Sequence, residues 1–87
     1  MDTKPAMRNL FKQIKHERES QAIHLRQLAI DADIDISHYG KSERYGSNCC
    51  LHIFLIICLQ LKLKPWELME KALKDIWEQM ERDYRKR

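Results

Sequence analysis

The sequence predicts an all-α fold, a five-helix bundle with an extended last helix. Three observations carry this. Only two Gly and two Pro occur in 87 residues, which leaves few turn signals and favours helices joined by short loops over a sheet. Apolar residues recur at three- and four-residue spacing in successive segments rather than alternating. The composition, 44% hydrophobic and 33% charged, is that of a folded domain, neither disordered nor membrane-like.

The first helix is expected over roughly residues 5–20, because Met7, Leu10, Phe11 and Ile14 fall on one face. Pro5 suits a first helical position, with Thr3 or Lys4 just outside. A short second helix begins at about His24, its inner face formed by Leu25, Leu28 and Ala29. Asp35 is a good N-cap for a third helix that runs to about Glu43 or Arg44. Gly40, in its interior, costs roughly 1 kcal/mol relative to Ala. Tyr45, Gly46, Ser47 and Asn48 read as loop. A fourth helix covers about residues 50–61, with Leu63 following it into the core. Pro65 opens a fifth, Pro65–Arg85, with Glu67 and Glu70 near its positive end and Arg82, Arg85, Lys86 and Arg87 near its negative end.

The totals narrow the function classes. The length suits one domain with little room for a second core, and no repeat, low-complexity segment or long linker divides it. The formal charge of +3 permits nucleic acid as a partner without demanding it. The longest apolar run, residues 53–59, is far short of the ~20 residues that cross a bilayer. The N-terminal stretch carries no apolar segment or cleavage site of a secretory signal. Three cysteines, two of them adjacent (Cys49, Cys50, Cys58), do not make a disulfide framework, and reduced thiols in the cytoplasm fit better.

Catalytic and metal chemistry find no support in the spacing. His16, His24, His38 and His52 never recur at i, i+4. Cys49, Cys50, His52 and Cys58 lack the two-residue spacing that makes zinc sites recognisable. No His has a third orienting group for a Cys–His nucleophile pair. Neither a cofactor nor a metal is expected, and the chain does not read as an enzyme. Cys58 is expected as a small core residue.

Residues 14–68 carry an ordered set of spacings. Ile14 and Arg18 come first, then Leu28-Ala29, Ile34-Asp35 and Glu43-Arg44, and last a leucine-rich helix ending Leu61-x-Leu63-x-Pro-x-x-Leu68. Laid without gaps, this stretch resembles the lambda-repressor-like helix-turn-helix domain of phage C1 repressors, Cro and Xre-type regulators. The resemblance implies that helices 2 and 3 form the helix-turn-helix within a single domain spanning residues 1–87. Its core would cover residues 5–68, with a C-terminal dimerisation helix over residues 65–85. It places the end of helix 2 near Asp33, where the family usually has a left-handed Gly; Asp tolerates that conformation at modest cost. Ser42 stands where the family has a bulky apolar residue, which implies a less firmly packed third helix. Arg18 and Glu43 fall in the slots of the family's partly buried ion pair, a structural role.

The resemblance also implies a DNA-reading surface. In a helix-turn-helix the second helix enters the major groove with its N-terminal residues at base edges. By position, Ile36, Ser37, His38 and Lys41 would face bases: Lys41 donating to guanine, Ser37 to several edges, Ile36 against a thymine methyl. Arg26, Arg44, Ser47 and Asn48 would hold phosphates, helped by the start of helix 2. Three positions depart from the family. Leu25 replaces a Gln that clamps a phosphate and braces the first base-reading side chain. Tyr45 stands where a Gly is usual, with Gly46 one residue later. Gly40 lies inside the recognition helix.

Helix 4 is more apolar than a monomer needs. Leu51, Phe54, Leu55, Ile57, Cys58 and Leu61 are expected in the core, which leaves Ile53, Ile56 and Leu59 on the other side. On the last helix Trp66, Met69, Leu73, Ile76 and Met80 recur at 3-4-3-4 spacing, and Trp77 and Tyr84 widen the stripe. That helix is expected to fold back on helix 4 or to pack against its twin. The expected dimer interface is therefore Ile53, Ile56, Leu59, Met69, Leu73, Ile76 and Met80. The resulting expectation is a cytoplasmic homodimer on double-stranded DNA, a transcriptional repressor acting by occlusion with no membrane contact. The alternative is a helix-turn-helix protein-interaction module, an antitoxin, antirepressor or assembly factor, whose partner sits on helices 4 and 5.

Overall fold

A computed structural model describes residues 3–47 and 49–86. Five α-helices follow in order: α1 (Lys4–Ser20), α2 (Leu25–Asp31), α3 (Ile36–Tyr45), α4 (Leu51–Leu61) and α5 (Pro65–Arg85). No strand occurs among the described residues.

Three of the four connections use one device. Ala22, Asp33 and Lys62 have φ of 56°, 56° and 57°. In each case the following amide reaches back to a carbonyl five residues earlier: Ile23 to Arg18 at 3.1 Å, Ile34 to Ala29 at 2.9 Å and Leu63 to Cys58 at 2.9 Å. The left-handed residue itself donates to Glu19, Ile30 or Leu59. This is the Schellman closure, which satisfies carbonyls orphaned at a helix end. The apolar residue that follows, Ile23, Ile34 or Leu63, then packs against the core. Asp33 takes the left-handed position expected of it. Asp35 caps α3, its carboxylate accepting from the His38 amide at 2.9 Å.

The core gathers Leu10, Phe11 and Ile14 of α1, Leu28 and Ala29 of α2, Tyr39 of α3, Phe54, Ile57, Cys58 and Leu61 of α4, and Leu68 and Ala72 of α5. Two expected core members are elsewhere. Leu51 and Leu55 are 68% and 39% exposed, and with Leu59 at 78% they line the outer side of α4. The reason is angular: these three repeat every fourth residue and form a strip beside, and turned outward from, the one made by Phe54, Ile57, Cys58 and Leu61. Ile53, expected on the outer side, is instead packed against the core.

A second correction concerns α5, which packs more extensively on α1 than on α4. Leu68 and Ala72 make its buried face. Asn9 Nδ2 donates to the Ala72 carbonyl at 3.3 Å, and Lys71 meets Glu17 at 3.5 Å. The gap beneath α5 is thus filled by the first helix. Gln21 Nε2, just past α1, donates to the Leu61 carbonyl at 2.6 Å and secures the end of α4.

Tyr39, which the apolar pattern did not flag, is 2% exposed and meets Phe11 edge-on at 6.4 Å between centroids. Its hydroxyl is buried near the Glu43 carboxylate but not in full hydrogen-bond geometry with it. Burial first, and then the nearby Glu43 carboxylate, push the phenol above its ordinary value of 10.0. A raised value means that the fold favours the neutral phenol. That contribution is complete below about pH 10 and is lost as pH climbs beyond it. Tyr39→Phe should therefore match or exceed the parent by up to about 1 kcal/mol at pH 7, since a hydroxyl without a well-formed hydrogen bond is removed. It should also retain more of its stability at pH 10.5. Urea unfolding at the two pH values checks this, and a loss above about 1 kcal/mol at pH 7 would mean that the hydroxyl is bonded after all.

Candidate nucleic-acid interface

The site is built around a buried ion pair. Arg18 Nε and Nη2 donate to the two Glu43 carboxylate oxygens, each at 2.9 Å, and Nη1 donates to the Ile23 carbonyl at 2.7 Å. The side chains are 9% and 1% exposed. The Glu43 hydrogen bond outweighs the effect of burial and raises the guanidinium's already high pKa. Bidentate pairing fixes direction as well as distance. The pair therefore joins the end of α1, the turn before α2 and the last turn of α3.

With α3 held at both ends, by Asp35 and by Glu43, its outer side is set. Ser37, His38 and Lys41 are exposed on it. Ile36 is half-buried and packs against the core, so its side chain has less reach toward a ligand than its neighbours. Arg26 on α2 and Arg44 on α3 are exposed. The Arg44 Nε donates to the Gly40 carbonyl at 3.3 Å, and its guanidinium lies 5.7 Å from the Tyr45 ring centroid. Ser47 pairs with Ser42, their hydroxyl oxygens 2.7 Å apart. Asn48, expected at a phosphate, lies outside the described residues.

Leu25 is half-buried against the core. It faces a broad depression of about 420 Å³ that Ser37, Gly40, Arg44 and Lys15 also line. Lys15 was missed from the sequence; its signal was its place one turn before Arg18 on α1. Gly40 gives this depression its depth, and a Cβ there would meet nothing closer than the Arg44 Nη2 at 3.8 Å.

Of the residues expected at a dimer interface, Leu59 and Met69 are exposed, Ile56, Ile76 and Met80 are half-buried, and Ile53 and Leu73 are packed against the core. The large uncovered apolar groups on the last two helices are Leu51, Leu55 and Leu59 of α4 and Trp66, Met69, Trp77 and Tyr84 of α5. Cys58 is buried and Cys49 half-buried, and burial pushes both thiols up, which keeps them protonated and weakly nucleophilic. Among the described residues, no three His, Cys, Asp or Glu side chains group as a metal site, and no helix is long and apolar enough to cross a membrane.

Comparison of the chain with protein families, with curated proteins and with solved structures finds no match.

Proposed function

We propose that this chain is a sequence-specific DNA-binding transcriptional repressor that works as a homodimer, with α2 and α3 as its helix-turn-helix. The observation that carries the reading is the exposed set Ser37, His38 and Lys41 on one side of a capped, ion-paired α3, flanked by the cations Arg26 and Arg44. A recognition helix needs a rigid mount and free donors at base edges, with cations beside them for phosphates. The spacing resemblance over residues 14–68 points the same way.

Self-association is supported by the uncovered half of α5. Trp66, Trp77 and Tyr84 are exposed on it, and with the half-buried Met80 they form a stripe about 27 Å long at 1.5 Å per residue. A two-fold, antiparallel pairing of α5 would lay this stripe against its own copy, the self-complementary contact that an isologous interface requires.

Selection from a randomised duplex library tests both parts. The expected product is a palindromic site, because operator symmetry mirrors protein symmetry. Trp77→Glu should sediment as a monomer and select a single half-site. A selection that enriches nothing would favour the second reading, a protein-interaction module. That reading draws on the inward Leu25, which offers no amide to a phosphate, and on the bare Leu51, Leu55 and Leu59 ridge.

A further inference from the structure

A half-enclosed cleft of about 210 Å³ opens between α3, the start of α4 and the residues Ser47, Cys49 and Cys50. Its floor is apolar, made by Phe11, Ile34 and Ile57. It lies beside Ser42, which is 3% exposed and whose small side chain leaves the space that a Leu would fill. No Asp, Glu, Lys or Arg lines it among the described residues, and its one imidazole, His38, is exposed to solvent, so a charged group seated on the apolar floor would lose hydration without a buried partner.

The polar groups of the cleft dictate what an occupant must offer. The Ser42 hydroxyl can donate to the His38 carbonyl at 3.1 Å, and a serine has a single hydroxyl proton. In the 2.7 Å contact between Ser42 and Ser47 either hydroxyl can donate. In both cases the Ser47 oxygen, with two lone pairs, keeps at least one free to accept. Ser47 lines the cleft beside the apolar floor and acts there as an acceptor.

We propose that this cleft binds a small neutral aromatic molecule carrying one N–H or O–H donor, with its rings on the Phe11, Ile34 and Ile57 floor and its donor on Ser47 Oγ. An apolar cavity of about 150 Å³ accepts benzene, so the volume here suits a fused two-ring molecule. His38 and Ser47 also belong to the proposed DNA face, so occupancy and DNA binding would be reciprocally linked. The site itself does not rest on that reading, and its test uses the free protein.

Indole is the probe, titrated calorimetrically, with indene as the same two-ring frame lacking the N–H. Saturable indole binding is expected below about 1 mM, the weak end of specific association. Indene should bind about fivefold more weakly, the worth of one hydrogen bond. Ser47→Ala should bind the two equally. Ser42→Leu, which fills the cleft, should lose indole binding while still melting cooperatively. Absence of saturation in the parent overturns the proposal, as does full indole affinity in a cooperatively melting Ser42→Leu. Should Ser42→Leu fail to fold, Ser47→Ala decides: an undiminished preference for indole over indene overturns the assignment.

Discussion

Arg18→Ala should destabilise the fold by about 3–5 kcal/mol, because it strands the Glu43 carboxylate in a site where that side chain is 1% exposed. The Ile23 carbonyl would also lose its donor, and with it the turn that sets α2 against α3. For a small domain whose whole stability is about 5–15 kcal/mol, this is a large fraction, visible as a shifted midpoint in urea. The double replacement Arg18→Met with Glu43→Leu should recover most of the loss, since it removes both charges together. Arg18→Lys should stay strongly destabilised, because an ammonium cannot form the two-point contact and also reach the Ile23 carbonyl. A loss below about 1 kcal/mol for Arg18→Ala would mean that the pair is a solvated surface contact.

Gly46→Ala should cost about 3 kcal/mol or more, combining backbone strain with a steric clash. Gly46 closes α3 with φ 77° and ψ 149°, a region essentially reserved for glycine. A Cβ there would also fall 2.8 Å from the Arg8 amide nitrogen and 2.9 Å from its Cα. Those are backbone atoms inside α1, which cannot turn aside as a side chain can. Gly40→Ala provides the internal contrast. That glycine is helical, and a Cβ on it would make only an ordinary contact with the Arg44 Nη2 at 3.8 Å, so its replacement should gain about 1 kcal/mol. Thermal midpoints moving in opposite directions for the two alanines would satisfy the expectation. Similar shifts for both would refute the close approach of α3's end to α1.

Much of the fold was legible because local signals agreed. Asp35 announced the start of α3, and Pro5 and Pro65 the first turns of α1 and α5, while the stop of α2 at Asp33 came from the family resemblance. Ala22 and Lys62 carried no turn signal of their own. What marked them was the apolar residue that follows, a weaker cue that became visible only beside Asp33-Ile34. The sides of α4 were not legible, since nearly every residue from Leu51 to Leu61 is apolar and such a run has no period to orient. Leu51 and Leu55 were misassigned for that reason. On α5 the apolar stripe was clear, but a stripe does not name its neighbour: α5 lies chiefly on α1 through Leu68 and Ala72, while Trp66, Met69 and Trp77 stay exposed.

The candidate site divides in the same way. The Arg18–Glu43 contact, 25 residues apart in the chain, was readable only through the family resemblance, because no local rule joins those positions. The outward placing of Ser37, His38 and Lys41 was also readable only through that resemblance, position by position, and Ile36, expected beside them, is packed against the core. The cleft beside Ser42 and the contact of Ser42 with Ser47 depend on tertiary placement, so only the implied loose packing of α3 hinted at them.

The most direct test of the DNA-binding account is duplex binding across a salt series, for the parent and for Lys41→Ala. If each protomer neutralises two phosphates, through Arg26 and Arg44, the logarithm of the affinity should fall with that of salt at a slope of about −3.6. Lys41→Ala should keep that slope and lose preference for the selected site, as a base-reading side chain would. Absence of duplex binding at the lowest salt would contradict the account.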